Sequence, residues 1–160
     1  MGFKSGNISK LKKKVATLNK AATKLNTAYQ QALNDEHRNN LAWTAVKKKE
    51  SDTMAKLGGP ARFAQIAEGK GAPPTPAEMA LCMTIGDDIS AEKEKIGDNM
   101  IPLQRDTHVA KVAYEKARAD YNDALGVLSK YIAEKDTFKA MSKEDYKTWK
   151  STMSNVIDQL

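Results

Sequence analysis

Cysteine is almost missing from this chain. The lone Cys82 excludes an intramolecular disulfide framework and a cysteine-rich zinc site, and it is compatible with a reducing compartment. It stands in the apolar run "MALCM", where a free thiol is expected to be buried as a small hydrophobe. Long hydrophobic runs are missing as well. No stretch approaches the ~20 apolar residues of a membrane span, and the basic N-terminus carries no apolar signal core. A soluble chain is therefore expected, cytoplasmic or held in a larger complex. The opening "MGFKSG" has Gly6 where a myristoylation signal needs Ser or Thr.

Large aromatic residues are scarce, with three Phe and two Trp among 160 residues. Combined with 41% hydrophobic and 29% charged residues, that scarcity argues against a thick globular core and suits long, thin helical assemblies. At 17.6 kDa one structural unit is the default expectation.

Catalytic signatures are also lacking. His37 and His108 have only Glu36 and Asp106 as nearby acids, without a zinc-ligand spacing. The run "GDDISAEKEKIGD" has neither the oxygen spacing nor the loop glycine of an EF-hand, and reads as a helix start capped by Asp87 or Asp88. In "AEGKGA" a phosphate-binding loop would need Gly at position 64 and Ser or Thr at position 71, where Ala64 and Gly71 stand. No serine, histidine and aspartate constellation can be assembled. The expectation is a non-enzymatic protein with no cofactor and no metal.

What the chain does contain is periodicity. From Ile8 a step of three and four residues lands on Leu11, Val15, Leu18, Ala22, Leu25, Tyr29 and Ala32, passes Glu36 and Asn39, and resumes at Trp43, Val46, Glu50, Thr53 and Leu57. A second register runs through Ile89, Lys93, Ile96, Met100, Leu103, Thr107, Ala110, Tyr114, Ala117, Tyr121, Ala124, Leu128, Tyr131, Lys135 and Phe138. A sustained repeat of about 3.5 residues marks a coiled-coil seam. Two arms, 8–57 and 89–138, are predicted, each ~75 Å long at 1.5 Å per residue. Asn7 or Ser9 is expected to cap the first, Gly58, Gly59 and Pro60 to stop it, and Pro102 to kink the second near Asp98 or Asn99.

Folded antiparallel, the arms are expected to pair so that facing residue numbers sum to about 146. Alanines would then meet tyrosines, Ala32 facing Tyr114 and Tyr29 facing Ala117, and Asn39 would face Thr107 in a polar layer. Leu57 would meet Ile89 at one end and Ile8 would meet Phe138 at the other. Pairing of the arms with another chain is the alternative. Residues 58–88 read as a small helical tip subdomain. In it "ARFAQIA" forms a short helix, "GKGAPP" a loop, and "TPAEMALCMTI" a helix opened by Thr75 as cap, Pro76 first and Glu78 third. Phe63, Ile66, Met79, Met83 and Ile85 are the expected tip cluster.

A last helix is predicted from Ser142 to Leu160 with the seam Tyr146, Trp149, Met153, Val156 and Leu160. Two paired helices have too thin a core for their ordering entropy, so this third helix is expected to pack at the base beside Leu11, Val15 and Leu18, in cis or across a dimer. The fold class is thus all-α: a long antiparallel coiled-coil hairpin with a helical tip and a C-terminal helix at the base.

The net charge of +6 is unevenly spread, +8 over residues 1–58 and −2 over the remainder. Lys10, Lys12, Lys13, Lys14, Lys20 and Lys24 form one cluster and Lys47, Lys48 and Lys49 another. Consecutive lysines on a helix point in different directions, so these runs are expected to surround the seam. They are the candidate anionic-surface residues; the C-terminal seam is the candidate partner or self-association face. Three function classes follow: a structural or assembly protein acting through helix association with itself or a protein partner, a helical rod lying on an anionic membrane, and nonspecific nucleic-acid binding, which the lack of interleaved aromatics disfavours.

Overall fold

A computed structural model describes residues 2–134 and 142–160. It is an all-α helical hairpin built on packing between two long helices. Helix α1 spans Gly2–Leu57, α2 Pro60–Glu68, α3 Pro76–Met83, α4 Ser90–Glu134 and α5 Lys143–Gln159, with a π-helical segment over Thr84–Ile89. No helix among the described residues is long and apolar enough to cross a membrane.

Local chemistry explains the breaks. Gly58 and Gly59 adopt φ of 107° and 103°, and their N–H groups donate to Ala55 O (3.1 Å) and Met54 O (2.9 Å). This pair of bonds is the Schellman closure of a helix C-terminus, which needs the positive φ that glycine adopts without strain. Pro60 then supplies the fixed φ of a first helical residue. Helix α2 closes in the same way, Lys70 donating to Gln65 O (2.8 Å) with Gly69 left-handed. Thr75 and Glu78 complete the expected capping box, each side chain accepting from the other's backbone N–H.

Two boundaries differ from expectation. Helix α1 begins at Gly2, so Asn7 and Ser9 lie inside it and cap nothing. The second long helix begins at Pro76 rather than Ile89: α3, the π segment and α4 follow without a break, and Asp87 and Asp88 sit within the run. Once the capping box has opened that helix, nothing downstream stops it. Ile85, Ile89 and Lys93 are spaced by fours, which on an α-helix drift by about 40° per step. Four residues fall short of the wider π turn, which offsets the drift that fours build up on an α-helix; Ile85 and Ile89 are both buried, and Ser90 Oγ donates to Ile85 O at 3.0 Å. Pro102 is carried inside α4. The expected seam positions Lys135 and Phe138, and with them the pairing of Ile8 with Phe138, lie outside the described residues.

Two compact units make up the chain. The first comprises residues 1–30 and 109–160. Its buried centre is Leu11, Leu128, Tyr131 and Ile157. Helix α5 lies against it, Trp149 meeting Tyr131 at 4.9 Å between ring centroids, with Met153 and Leu160 also packed on the cluster. Ile157, outside the expected α5 seam, is the α5 residue that is fully buried. Farther along, Tyr29 stacks on Tyr114 at 6.1 Å and 19°.

The second unit comprises residues 31–108. Its buried centre is Val46, Leu57, Ile85 and Ile89, with Phe63, Ile66, Leu81 and Cys82 packed around it. Met79 and Met83, expected in this cluster, are 44% and 61% exposed. With α3 continuous into α4, the inward positions fall on Leu81, Cys82 and Ile85, and the methionines on the outer side.

Every described seam position is half-buried or buried, but the register is not the expected one. Tyr29 meets Tyr114 instead of Ala117. The polar layer of Asn39 with Thr107 is not formed. Instead Asn39 Nδ2 donates to Ile96 O at 3.3 Å, and the Thr107 hydroxyl lies 3.0 Å from Leu103 O and 3.3 Å from Ala32 O across the seam. Sliding one helix by a seam step keeps the apolar faces together, so specific contacts choose the register: here an aromatic stack and side chains that satisfy opposing carbonyls.

Candidate functional site

The first 34 residues contain seven lysines and no acid, Asp35 being the first. Of these lysines, Lys10 is tied to α5 by an ion pair with Asp158, and Lys14 Nζ donates to the Ile157 carbonyl. They hold α5 down. Lys12, Lys13, Lys20 and Lys24 are exposed and make no ion pair among the described residues. At 100° per residue, Lys13, Lys20 and Lys24 fall on one outer row of α1, about opposite the seam, whereas Lys12 stands on a flank. The base of α1 therefore does present a single cationic row, which a reading of consecutive lysines as divergent overlooks.

The second cluster is used differently. Lys47 approaches Glu50 at 3.8 Å and lies 5.9 Å from the Trp43 ring centroid, while Lys49 reaches Glu92 at 3.5 Å. Glu50 also accepts from Lys93 at 2.7 Å, a bond across the helix pair that, with Lys47, holds the Glu50 carboxyl below the usual carboxylate range. Lys48 is exposed and points away from the seam. Of the three, Lys49 bonds across to α4 and Lys47 stays on α1.

A contact absent from the sequence reading organises the segment between the long helices. Arg62 on α2 grips Glu78 on α3 with two bonds, Nε to Oε2 at 2.6 Å and Nη2 to Oε1 at 3.0 Å, and donates from Nη1 to Ala72 O at 3.0 Å. The Arg62 fork and the Thr75 N–H push the Glu78 carboxyl down to about 2. Its only sequence signal is the capping box, which places Glu78 at the start of α3 but not beside α2.

A shallow polar groove of about 270 Å³ in the first unit is lined by Asn19, Thr23, Asn26, Arg118 and Asn122 over Tyr114 and Tyr121. Its floor is open because Ala22 is small. His37 and His108 are both exposed. Among the described residues no three His, Cys, Asp or Glu side chains come together as metal ligands.

No protein-family model, curated protein or solved structure matches the chain.

The expected self-association face of α5 divides in two. Trp149, Met153 and Leu160 pack on the first unit's cluster, and Tyr146 and Val156 are half-buried like them without belonging to that cluster. Burial pushes the Tyr146 phenol up, with Tyr131 adding to it. Burial likewise raises the Tyr131 phenol, partly opposed by the nearby Asn7 side chain. Asp158 is held below the usual carboxylate range by its bond to Lys10.

Proposed function

We propose that this chain is a non-enzymatic assembly protein that associates through helical faces, with copies of itself or with a partner helix in a larger complex. Aliphatic side chains left uncovered on α4 carry the reading. In the first unit Leu125 and Ile132 are 38% and 47% exposed and seven residues apart on α4, on the flank away from α5. Val109 and Val112 are exposed on the same helix. The perturbed carboxylates support a structural role: Glu50, Glu78 and Asp158 are each held ionised by a neighbouring cation, the reverse of the raised carboxyl a general acid needs.

Light scattering across a concentration series tests the proposal. A mass rising to a dimer or beyond is expected, reduced by the paired substitution Leu125→Glu with Ile132→Glu. A strict monomer at every concentration that also captures no partner under native conditions overturns it.

A further inference from the structure

We infer that the outer row of α1 in the first unit, Lys13, Lys20 and Lys24, is a docking line for an anionic lipid bilayer. This goes beyond the assembly reading, because helix association needs apolar flanks whereas this row is cationic and lies opposite the seam. All three side chains are exposed, and none has an ion-pair partner among the described residues. The neighbours on the row, Thr17 and Thr27, turn their hydroxyls onto their own helix, donating to Lys13 O at 3.0 Å and Thr23 O at 3.1 Å. They offer no donor to a ligand, so the row speaks through charge alone.

Charge complementarity calls for a polyanion, and geometry selects a planar one. Lys13 to Lys24 spans about 17 Å of straight helix. A straight line touches a plane along its whole length, so all three lysines meet headgroups together. A DNA duplex turns about half a revolution over that distance, so its phosphate strand crosses the row instead of following it. Aromatic side chains, on which single-stranded bases stack, are absent from the row. No residue of the row is itself apolar, and Leu18 and Leu160 beside Lys13 and Thr17 line a cleft between α1 and α5, so the binding is peripheral: α1 spends its apolar face on α4, and the row itself puts nothing into the hydrocarbon. Each lysine near an anionic leaflet is worth about a fivefold gain in binding.

Sedimentation with vesicles tests the inference, using phosphatidylcholine doped with phosphatidylserine beside phosphatidylcholine alone. The full chain is compared with Lys13→Gln, Lys20→Gln, Lys24→Gln combined, and with a charge-matched control, Lys111→Gln, Lys116→Gln, Lys130→Gln, on α4. Circular dichroism checks that both stay helical. Expected is binding to the doped vesicles only, weakened roughly a hundredfold by the α1 variant and within a few fold of wild type for the control. Equal loss in both variants, showing that net charge alone acts, overturns the inference. So does binding indifferent to phosphatidylserine. Row-dependent binding of a short DNA duplex without vesicle binding overturns it in favour of a nucleic-acid surface.

Discussion

Glu78 does three things with one carboxylate: it caps α3 through Thr75, accepts both arms of the Arg62 fork, and so ties α2 to the start of the second long helix. Its acid form can do none of them well. The carboxyl titrates at about 2 in the folded chain against an ordinary 4.5, a depressed value, so the unfolded state binds the proton first. The stabilisation is therefore complete above pH 4.5, declines as the pH falls below it, and is gone below about 2. Glu78→Gln removes it at every pH. Urea midpoints of the parent and Glu78→Gln, measured from pH 6 to pH 2, should differ most at pH 6 and converge toward pH 2; a constant gap would show that the Arg62 contact contributes nothing through ionisation.

The helical elements were written in the sequence far more plainly than their partners were. Seam residues from Ile8 to Leu57 and from Ile89 to Tyr131 all turn inward, because a 3.5-residue repeat states which side of a helix is apolar. It does not state which layer meets which, and so Tyr29 finds Tyr114 one step from the expected alanine. The π segment was illegible for a related reason: Gly86, two aspartates and β-branched residues in Thr84–Ile89 weaken an α-helix without saying that it widens, and the packing of Ile85 and Ile89 shows only in the fold. The candidate surface was half legible. The lysines were plain, but sorting free ones from those spent on Asp158 and Glu92 needs the third helix and the opposing arm in place. The caps at Thr75 and Ser142, in contrast, are local and were legible. Ser142 accepts from Asp145 N–H at 3.2 Å and bonds the Asp145 carboxylate at 2.9 Å, as its position before two acids suggested. Ser142→Ala should cost about 1 kcal/mol, detected in denaturant unfolding as a lower midpoint, whereas Ser142→Asp should preserve most of it. Equal loss in both would mean that the N-terminal turn of α5 does not limit stability.

Among the described residues, all the buried side chains larger than alanine fall into two clusters that share no member, Leu11, Leu128, Tyr131 and Ile157 in one unit and Val46, Leu57, Ile85 and Ile89 in the other. Each is small, and each relies on a third helical element: α5 seals the first with Ile157, and α2 covers the second with Phe63 and Ile66. A narrow seam alone holds few fully buried side chains, so most of the packing energy sits at these two places. Truncating a fully buried isoleucine costs about 2 to 5 kcal/mol, and cooperative units of a structure open with their own free energies. Ile157→Ala should therefore lower amide exchange protection mainly in residues 8–30 and 109–134, and Ile89→Ala mainly in residues 31–108. If either substitution instead drops protection uniformly along both long helices, the two clusters unfold as one cooperative body, and the continuous helices α1 and α4 transmit the loss from one to the other.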